Sequence, residues 1–335
     1  MNHYIVTGGA GLIGSNVVAA LLRRGERSVT VVDDLNHPDK QANLDRNHPS
    51  AYYDKTEFRK AVREGRVAPP DVFIHLGACS STTEFDTAYL ADNNTAYTRE
   101  MCEWCLANGV RFLYASSAAT YGAGERGYDD DDALVPLLRP LNPYGQSKQD
   151  FDLWARDNGL FDRIVGLKFF NVFGPGEDHK GAMRSLVHKA YAQIVETGRL
   201  RLFRSHRPDY ADGCQDRDFV YVGDAVATTL FLADHPRIGG LFNCGTGRAR
   251  TWLDLAAAVF SAMGREPAVD FVDMPAEIRD KYQYHTQATV ERLAATGAPI
   301  PATPLETAVA AYIHLWLGRP RDERTLAGAT DHTMD

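Results

Sequence analysis

Residues 8–14 read Gly8-Gly9-Ala10-Gly11-Leu12-Ile13-Gly14 and lie between a short apolar run at 3–7 and a helical run at 15–24. Nothing else in the chain restricts its fold as much, because strand, glycine turn and helix in that order make a dinucleotide-binding unit. Gly8 allows the tight turn, Gly11 lets backbone approach a pyrophosphate, and Gly14 allows helix to pack on sheet while the helix N-terminus attracts the anion. A second strand-like run, 28–32, ends at Asp33-Asp34, where a carboxylate usually receives the adenosine ribose hydroxyls of NAD. Lys40 and Lys55 follow, and either could pair with a 2′-phosphate, which leaves NADP open.

The remaining pattern extends this unit into an α/β chain with a Rossmann-type doubly wound parallel sheet and a smaller C-terminal substrate-binding lobe. Strand-like 72–76 runs into the small residues Gly77-Ala78-Cys79-Ser80, and a helix over 87–108 carries Asn93. Strand-like 111–115 ends at Ser116-Ser117, where a hydroxyl can polarise a substrate oxygen or cap a turn. Pro143 opens a helix that presents Tyr144 and Lys148 four residues apart on one face. A phenol of pKa ~10 is a poor base at neutral pH, and an adjacent cation lowers that value. Residues 164–169 read as a strand and 183–197 as a helix. Residues 200–203 and 218–222 read as strands, 205–217 as a polar loop, and 252–263 and 304–317 as packing helices. These runs place a dinucleotide-binding domain at 1–170, its sheet completed around 218–245. The second lobe falls at 171–215 and 246–318, and a polar, frayed tail occupies 319–335.

Composition narrows the partners. A net charge of -8 in 335 residues argues against nucleic acid and against an anionic membrane surface. No apolar run approaches ~18 residues and the N-terminus enters a strand pattern at once, so no membrane span or signal peptide is expected and the cytoplasm is the default. Five sparse cysteines suit reduced thiols; Cys102 and Cys105 fall inside a helical pattern without a second pair for zinc. The run Asp129 to Asp132 reads as a solvated loop, and no metal site is expected.

Gly8 to Gly14, Ser117, Tyr144 and Lys148 together resemble the extended short-chain dehydrogenase/reductase superfamily, whose members oxidise nucleotide sugars with a bound nicotinamide cofactor. The strings 77–84, 92–94, 114–122, 170–175, 179–181 and 217–222 sharpen this to a resemblance to the ADP-L-glycero-D-manno-heptose 6-epimerase family, extending from residue 1 to about residue 317. The resemblance implies redox inversion of the sugar's C6 with NADP, and NAD as the alternative. It also implies an ADP-heptose substrate, a role in supplying the lipopolysaccharide inner core, and a pentameric homo-oligomer. It implies Tyr144 and Lys180 as proton-transfer groups for two substrate orientations, with Lys148 lowering the tyrosine's pKa and Ser117 binding the reacting oxygen. Cofactor contacts carried over are Gly8, Gly11, Leu12, Ile13, Gly14, Asp33, Asp34, Lys40, Lys55, Leu76, Gly77, Ala78, Cys79, Ser80, Asn93, Lys148, Val172 and Lys180. Substrate contacts are Ser117, Asn171, Ala182, Lys189, Phe203, Arg204, Ser205, His206, Arg217 and Tyr282.

Three positions depart from the family pattern. Asp34 stands for an asparagine and adds negative charge where a 2′-phosphate would sit; Ala182 stands for a serine and Lys189 for a histidine. Arg204 and His206, in a longer loop, are candidates for the diphosphate. A 4,6-dehydratase is disfavoured because Ala118 and Ala119 follow Ser117, where such an enzyme carries a carboxylic acid. A 4-epimerase would need only Tyr144, and a non-catalytic cofactor-binding sensor would need neither Tyr144 nor Lys148.

Overall fold

The computed structural model describes residues 2–279 and 282–327. Its centre is a seven-stranded sheet built from β1 (His3–Thr7), β2 (Ser28–Asp33), β3 (Ala51–Asp54), β4 (Val72–His75), β5 (Arg111–Ser117), β6 (Val165–Phe169) and the later strand Gly240–Cys244. From one edge the order is β3-β2-β1-β4-β5-β6 and then Gly240–Cys244, and every pairing is parallel. Parallel strands need crossovers, so helices cover both faces. Helices Leu12–Arg23 and Val222–Asp234 bury Val17, Val18, Leu21, Val226 and Leu230 on one face. On the other, Phe58, Met101, Cys102, Cys105 and Phe151 pack from helices Lys55–Arg63, Tyr97–Ala107 and Pro143–Asp157. The order in which strands are added reverses between β1 and β4, which opens a crevice beyond their carboxyl ends.

Two small sheets carry the rest. In chain order after β6 come β7 (Asn171–Phe173), β8 (Leu200–Phe203), β9 (Asp216–Tyr221), β10 (Gly240–Cys244), β11 (Ala249–Thr251) and β12 (Val269–Val272). β11-β9-β7 form one sheet and β12 pairs with β8 in the other. β3, β7, β11 and β12 were not foreseen. All are four residues or fewer, and β3 at the sheet edge leaves Tyr52 and Tyr53 exposed instead of alternating.

Two expectations are corrected. Asp130 is not solvated: it is buried and accepts the Asn243 N–H at 2.7 Å, so burial pushes its pKa up to about 6, while Asp132 pairs with Arg292. The segment 319–327 is not frayed either. Leu326 is buried, Arg321 pairs with Asp39 at 2.8 Å, and Arg324 pairs with Asp178 at 3.1 Å. The rest of the expected tail, 328–335, lies outside the described residues. All five cysteines are free, and no described helix is long and apolar enough to cross a membrane.

Candidate active site

A cavity of about 890 Å³ fills the crevice and extends between the sheet and the second lobe. At its nucleotide end, Gly8 takes the left-handed φ of +68° that turns the chain out of β1. A Cβ on Gly14 would lie 2.1 Å from the Gly8 carbonyl oxygen, so only glycine lets helix Leu12–Arg23 sit against the turn. The first turn of that helix, with Gly11 as its N-cap, lines the cavity and offers backbone N–H groups to an anion. His179 lines the same cavity with a buried Nδ1 that has no partner among the described residues, and burial brings its pKa down to about 4. This cradle and this orphaned nitrogen fit a nicotinamide dinucleotide.

Next to the cradle lie Asp33, Asp34, Lys40 and Lys55, all facing the cavity. Asp33 is fixed by the Ala10 N–H at 2.9 Å, which ties the end of β2 to the glycine turn. Lys55 also donates to Asn93 at 3.2 Å. Leu76, Gly77, Ala78, Cys79 and Ser80 form the adjoining wall at the end of β4. Asn94 holds that wall in place: its side chain accepts the Cys79 N–H at 2.8 Å and donates to the Cys79 carbonyl and to Ser147. It sits on one wide turn, Ala91–Ala96, that interrupts the helix expected over 87–108. Sequence reasoning named Asn93 and missed Asn94.

Ser117, Tyr144, Lys148 and Lys180 all line the cavity. Ser117 accepts the Ala119 N–H at 3.1 Å, capping the turn, and its side chain also hydrogen-bonds Tyr144. Burial raises the Tyr144 pKa, and the Ser117 hydrogen bond opposes that rise. The expected lowering of the tyrosine by Lys148 is not found. The Lys148 ammonium donates to the Ala115 carbonyl at 2.9 Å, and burial brings its own pKa down to about 8. Burial also lowers the pKa of Lys180, which brings its neutral, proton-accepting form closer to physiological pH.

Behind Lys148 lies a buried ion pair that the sequence did not reveal. Asp152, one turn further along the same helix, accepts from Lys168 at 3.0 Å, Ser116 at 2.6 Å and Tyr114 at 2.8 Å. Both charged partners are almost fully buried, so β5, β6 and helix Pro143–Asp157 are locked together beneath the tyrosine.

In the second lobe Asn171, Val172, Lys189, Phe203 and Tyr282 line the cavity. Ala182, Arg204, Ser205, His206 and Arg217 do not line it. Ala182 offers its carbonyl to Lys189 at 3.2 Å. The Ser205 backbone N–H donates to Asp212 at 2.8 Å, and His206 takes the Met274 N–H at 3.2 Å, so this loop holds its own shape and meets the segment just after β12. Arg204 lies 3.9 Å from Asp212 and from Asp273. The Arg217 guanidinium is buried behind the lining, stacked on Trp252 at 5.5 Å and Tyr282 at 5.1 Å. Gln193, Arg201 and Trp252 do face the cavity and were missed. Lys189 and Gln193 share one face of helix Leu186–Thr197, a periodicity that could have found the second once the first was placed.

A seven-stranded parallel sheet with a glycine cradle, a tyrosine-lysine helix and a small second lobe defines a nicotinamide-dependent enzyme of the short-chain dehydrogenase/reductase type. Residues 4–245 match the NAD dependent epimerase/dehydratase family. The chain belongs to that family, and within it to the ADP-L-glycero-D-manno-heptose-6-epimerases. A protein of that name from Nitratidesulfovibrio vulgaris is 50% identical over 94% of this chain and 98% of its own length. Another, from Alkalilimnicola ehrlichii, is 44% identical over 92% of this chain and 96% of its own length. Among solved structures, the Helicobacter pylori ADP-L-glycero-D-manno-heptose-6-epimerase shares the fold with a TM-score of 0.78 at 23% identity, covering 93% of this chain and 95% of that one. The Thermus thermophilus UDP-glucose 4-epimerase, in complex with NAD, superposes with a TM-score of 0.73 at 27% identity, over 95% of this chain and 100% of that one.

Proposed function

We propose that the protein inverts C6 of ADP-D-glycero-D-manno-heptose to give ADP-L-glycero-D-manno-heptose through a transient C6 ketone. The observation that carries this reading is that Tyr144 and Lys180, two proton-exchanging side chains on separate elements, line one cavity together with the dinucleotide cradle. Full-length relatives at 50% identity support the choice of sugar nucleotide.

The C6 hydrogen is not acidic, so deprotonation alone cannot invert that centre. A nicotinamide cofactor held on the glycine turn and by Asp33, Asp34, Lys40 and Lys55 would supply the hydride acceptor and donor that inversion at C6 requires. The chain's own residues manage the proton. Tyr144 takes the C6 hydroxyl proton in one orientation of the sugar and Lys180 serves the other, while Ser117 hydrogen-bonds the reacting oxygen. Lys148 holds its positive charge beneath the tyrosine. The cofactor's adenosine end falls to Asp33, Asp34, Lys40 and Lys55; the family resemblance alone would assign NADP there. On the same reading the product serves the lipopolysaccharide inner core, and the enzyme acts in the cytoplasm as a homo-oligomer.

General acid-base help of this kind is worth ~10²–10⁴-fold. Tyr144→Phe should lower kcat by about 100-fold or more while cofactor affinity changes little, and Lys180→Met should lower it less. The deciding experiment is turnover of ADP-D-glycero-D-manno-heptose in deuterated water. Inversion without deuterium at C6 is expected. Deuterium uptake at C6, or no inversion at all, would overturn the proposal.

A further inference from the structure

We propose that the adenosine-ribose end of this site selects NAD over NADP, and that Asp34 is the residue that makes the selection. The inference rests on the nicotinamide-cofactor reading above and specifies the cofactor. Two carboxylates and two ammonium groups meet there, so the cluster carries no net charge before any cofactor arrives. Lys40 donates to Asp33 Oδ1 at 2.8 Å, to Asp34 Oδ1 at 2.6 Å and to the Asp34 carbonyl at 3.1 Å. An ammonium has three protons, and all three are used. Lys55 reaches Asp34 Oδ2 at 2.8 Å and Asn93 Oδ1 at 3.2 Å, with the Tyr89 ring 6.0 Å away. One proton is left over.

Asp34 therefore bridges the two lysines, one oxygen to each. Burial alone would raise its pKa, but the hydrogen bonds from Lys40 and Lys55 hold it below the usual value, and both lysine pKa values are raised against the pull of burial by the same contacts. Asp34, Lys40 and Lys55 are therefore charged at neutral pH. A 2′-phosphate brings about two negative charges near pH 7. To reach Lys40 it must displace a carboxylate, and to use the remaining proton of Lys55 it must sit beside the Asp34 carboxylate that lysine already holds. A ribose 2′-hydroxyl meets no such obstacle. It is a neutral donor, and Asp33 and Asp34 still have lone pairs able to accept from it.

The test is cofactor binding, read without any heptose. First, the cofactor released from the purified enzyme on denaturation is identified by mass spectrometry. Second, the stripped protein is titrated with NADH and NADPH by nucleotide fluorescence. NAD is expected as the released species, and NADH should bind at least tenfold more tightly than NADPH. In Asp34→Asn, which removes the carboxylate the two lysines share and leaves Lys40 its bond to Asp33, NADPH should tighten at least tenfold and its binding should become strongly salt-dependent. Asp34→Ala is the second variant, expected to change NADPH in the same direction. If the wild type binds NADPH as tightly as NADH, or if neither folded variant gains NADPH affinity, the proposal is wrong. Should both variants fail to fold, the wild-type comparison still decides. A failure to epimerise ADP-heptose would leave these affinities untouched, so the two proposals fall separately.

Discussion

Lys148 is 5% exposed, and burial has brought its pKa from 10.5 down to about 8. The unfolded chain keeps that proton until about 10.5, whereas the folded protein releases it near 8. Between those values the unfolded state binds more protons, so this residue's contribution to stability rises with pH. Below pH 8 both states hold the proton, and the buried charge costs the fold on the order of 3 kcal/mol. Lys148→Met removes the cost along with the charge. The difference in unfolding free energy between wild type and variant should be flat below about pH 8. It should then move in the wild type's favour by up to about 3 kcal/mol on approaching pH 10.5. Urea unfolding at a series of pH values reads this directly, and a flat difference throughout would show that the ammonium is not held in a low-dielectric site. The same variant should lose kcat, as expected where function keeps a charge that stability would discard. The residue types at this site were legible from the sequence, because Tyr144 and Lys148 are one helical turn apart. The environment was not. Asp130 lay in an acidic run that looked solvated, and its burial depends on Asn243, more than a hundred positions away.

At the scale of elements, the wide turn Ala91–Ala96 gives the site its rigidity by turning Asn94 inward. A regular helix would place that side chain differently, and neither spacing nor polarity signals the extra residue in the turn. The Asn94 amide closes a pair of hydrogen bonds on the Cys79 backbone and a third to Ser147, on the helix that carries Tyr144. Asn94→Ala would leave the Cys79 N–H and carbonyl unpaired in a partly buried wall, and each such group costs about 1–3 kcal/mol. A loss of roughly 2–4 kcal/mol in chemical unfolding is expected, with weaker cofactor binding because Ala78, Cys79 and Ser80 line the cavity. Asn94→Asp keeps the acceptor but turns a carboxylate toward the Cys79 carbonyl, and should recover little. Unchanged stability in Asn94→Ala would mean that the wall stands without this clamp. The longer elements were readable for the opposite reason: β1, β2, β4, β5 and β6 are runs of buried apolar residues, and their helices carry clear faces. β8 was seen and its partner β12 was not, since a four-residue edge pair leaves little periodic trace.

Across the whole molecule, the chain returns at 319–327 to the helices with which it began. The Ala327 N–H reaches Asn16 at 2.7 Å, Arg321 reaches Asp39, and Leu326 packs against Gly176. This strap also meets the segment that carries Lys180. Asp178 accepts from Trp316 at 2.7 Å, His188 at 3.3 Å and Arg324 at 3.1 Å. Burial would raise its pKa, but these partners hold it well below the usual carboxylate range. The loop that offers one of the two proposed proton-transfer groups is thus fastened from outside the cavity, two residues from the amine it presents. Its polar sequence made the segment look like a loose end, because its partners lie up to about three hundred residues upstream. Leu326 contributes about 1.5–3 kcal/mol by burial. Removing Arg324 leaves a buried carboxylate with a weaker set of donors. The double variant Arg324→Ala, Leu326→Ala should therefore lose roughly 3–5 kcal/mol and melt several degrees earlier by calorimetry. The kinetic consequence separates a strap from mere ballast. If it positions Lys180, turnover should fall further than it does in a variant of equal instability far from the site, and saturating cofactor should restore the melting point more fully than the rate. A double variant that melts early yet turns over at the wild-type rate below its transition would confine the strap to stability.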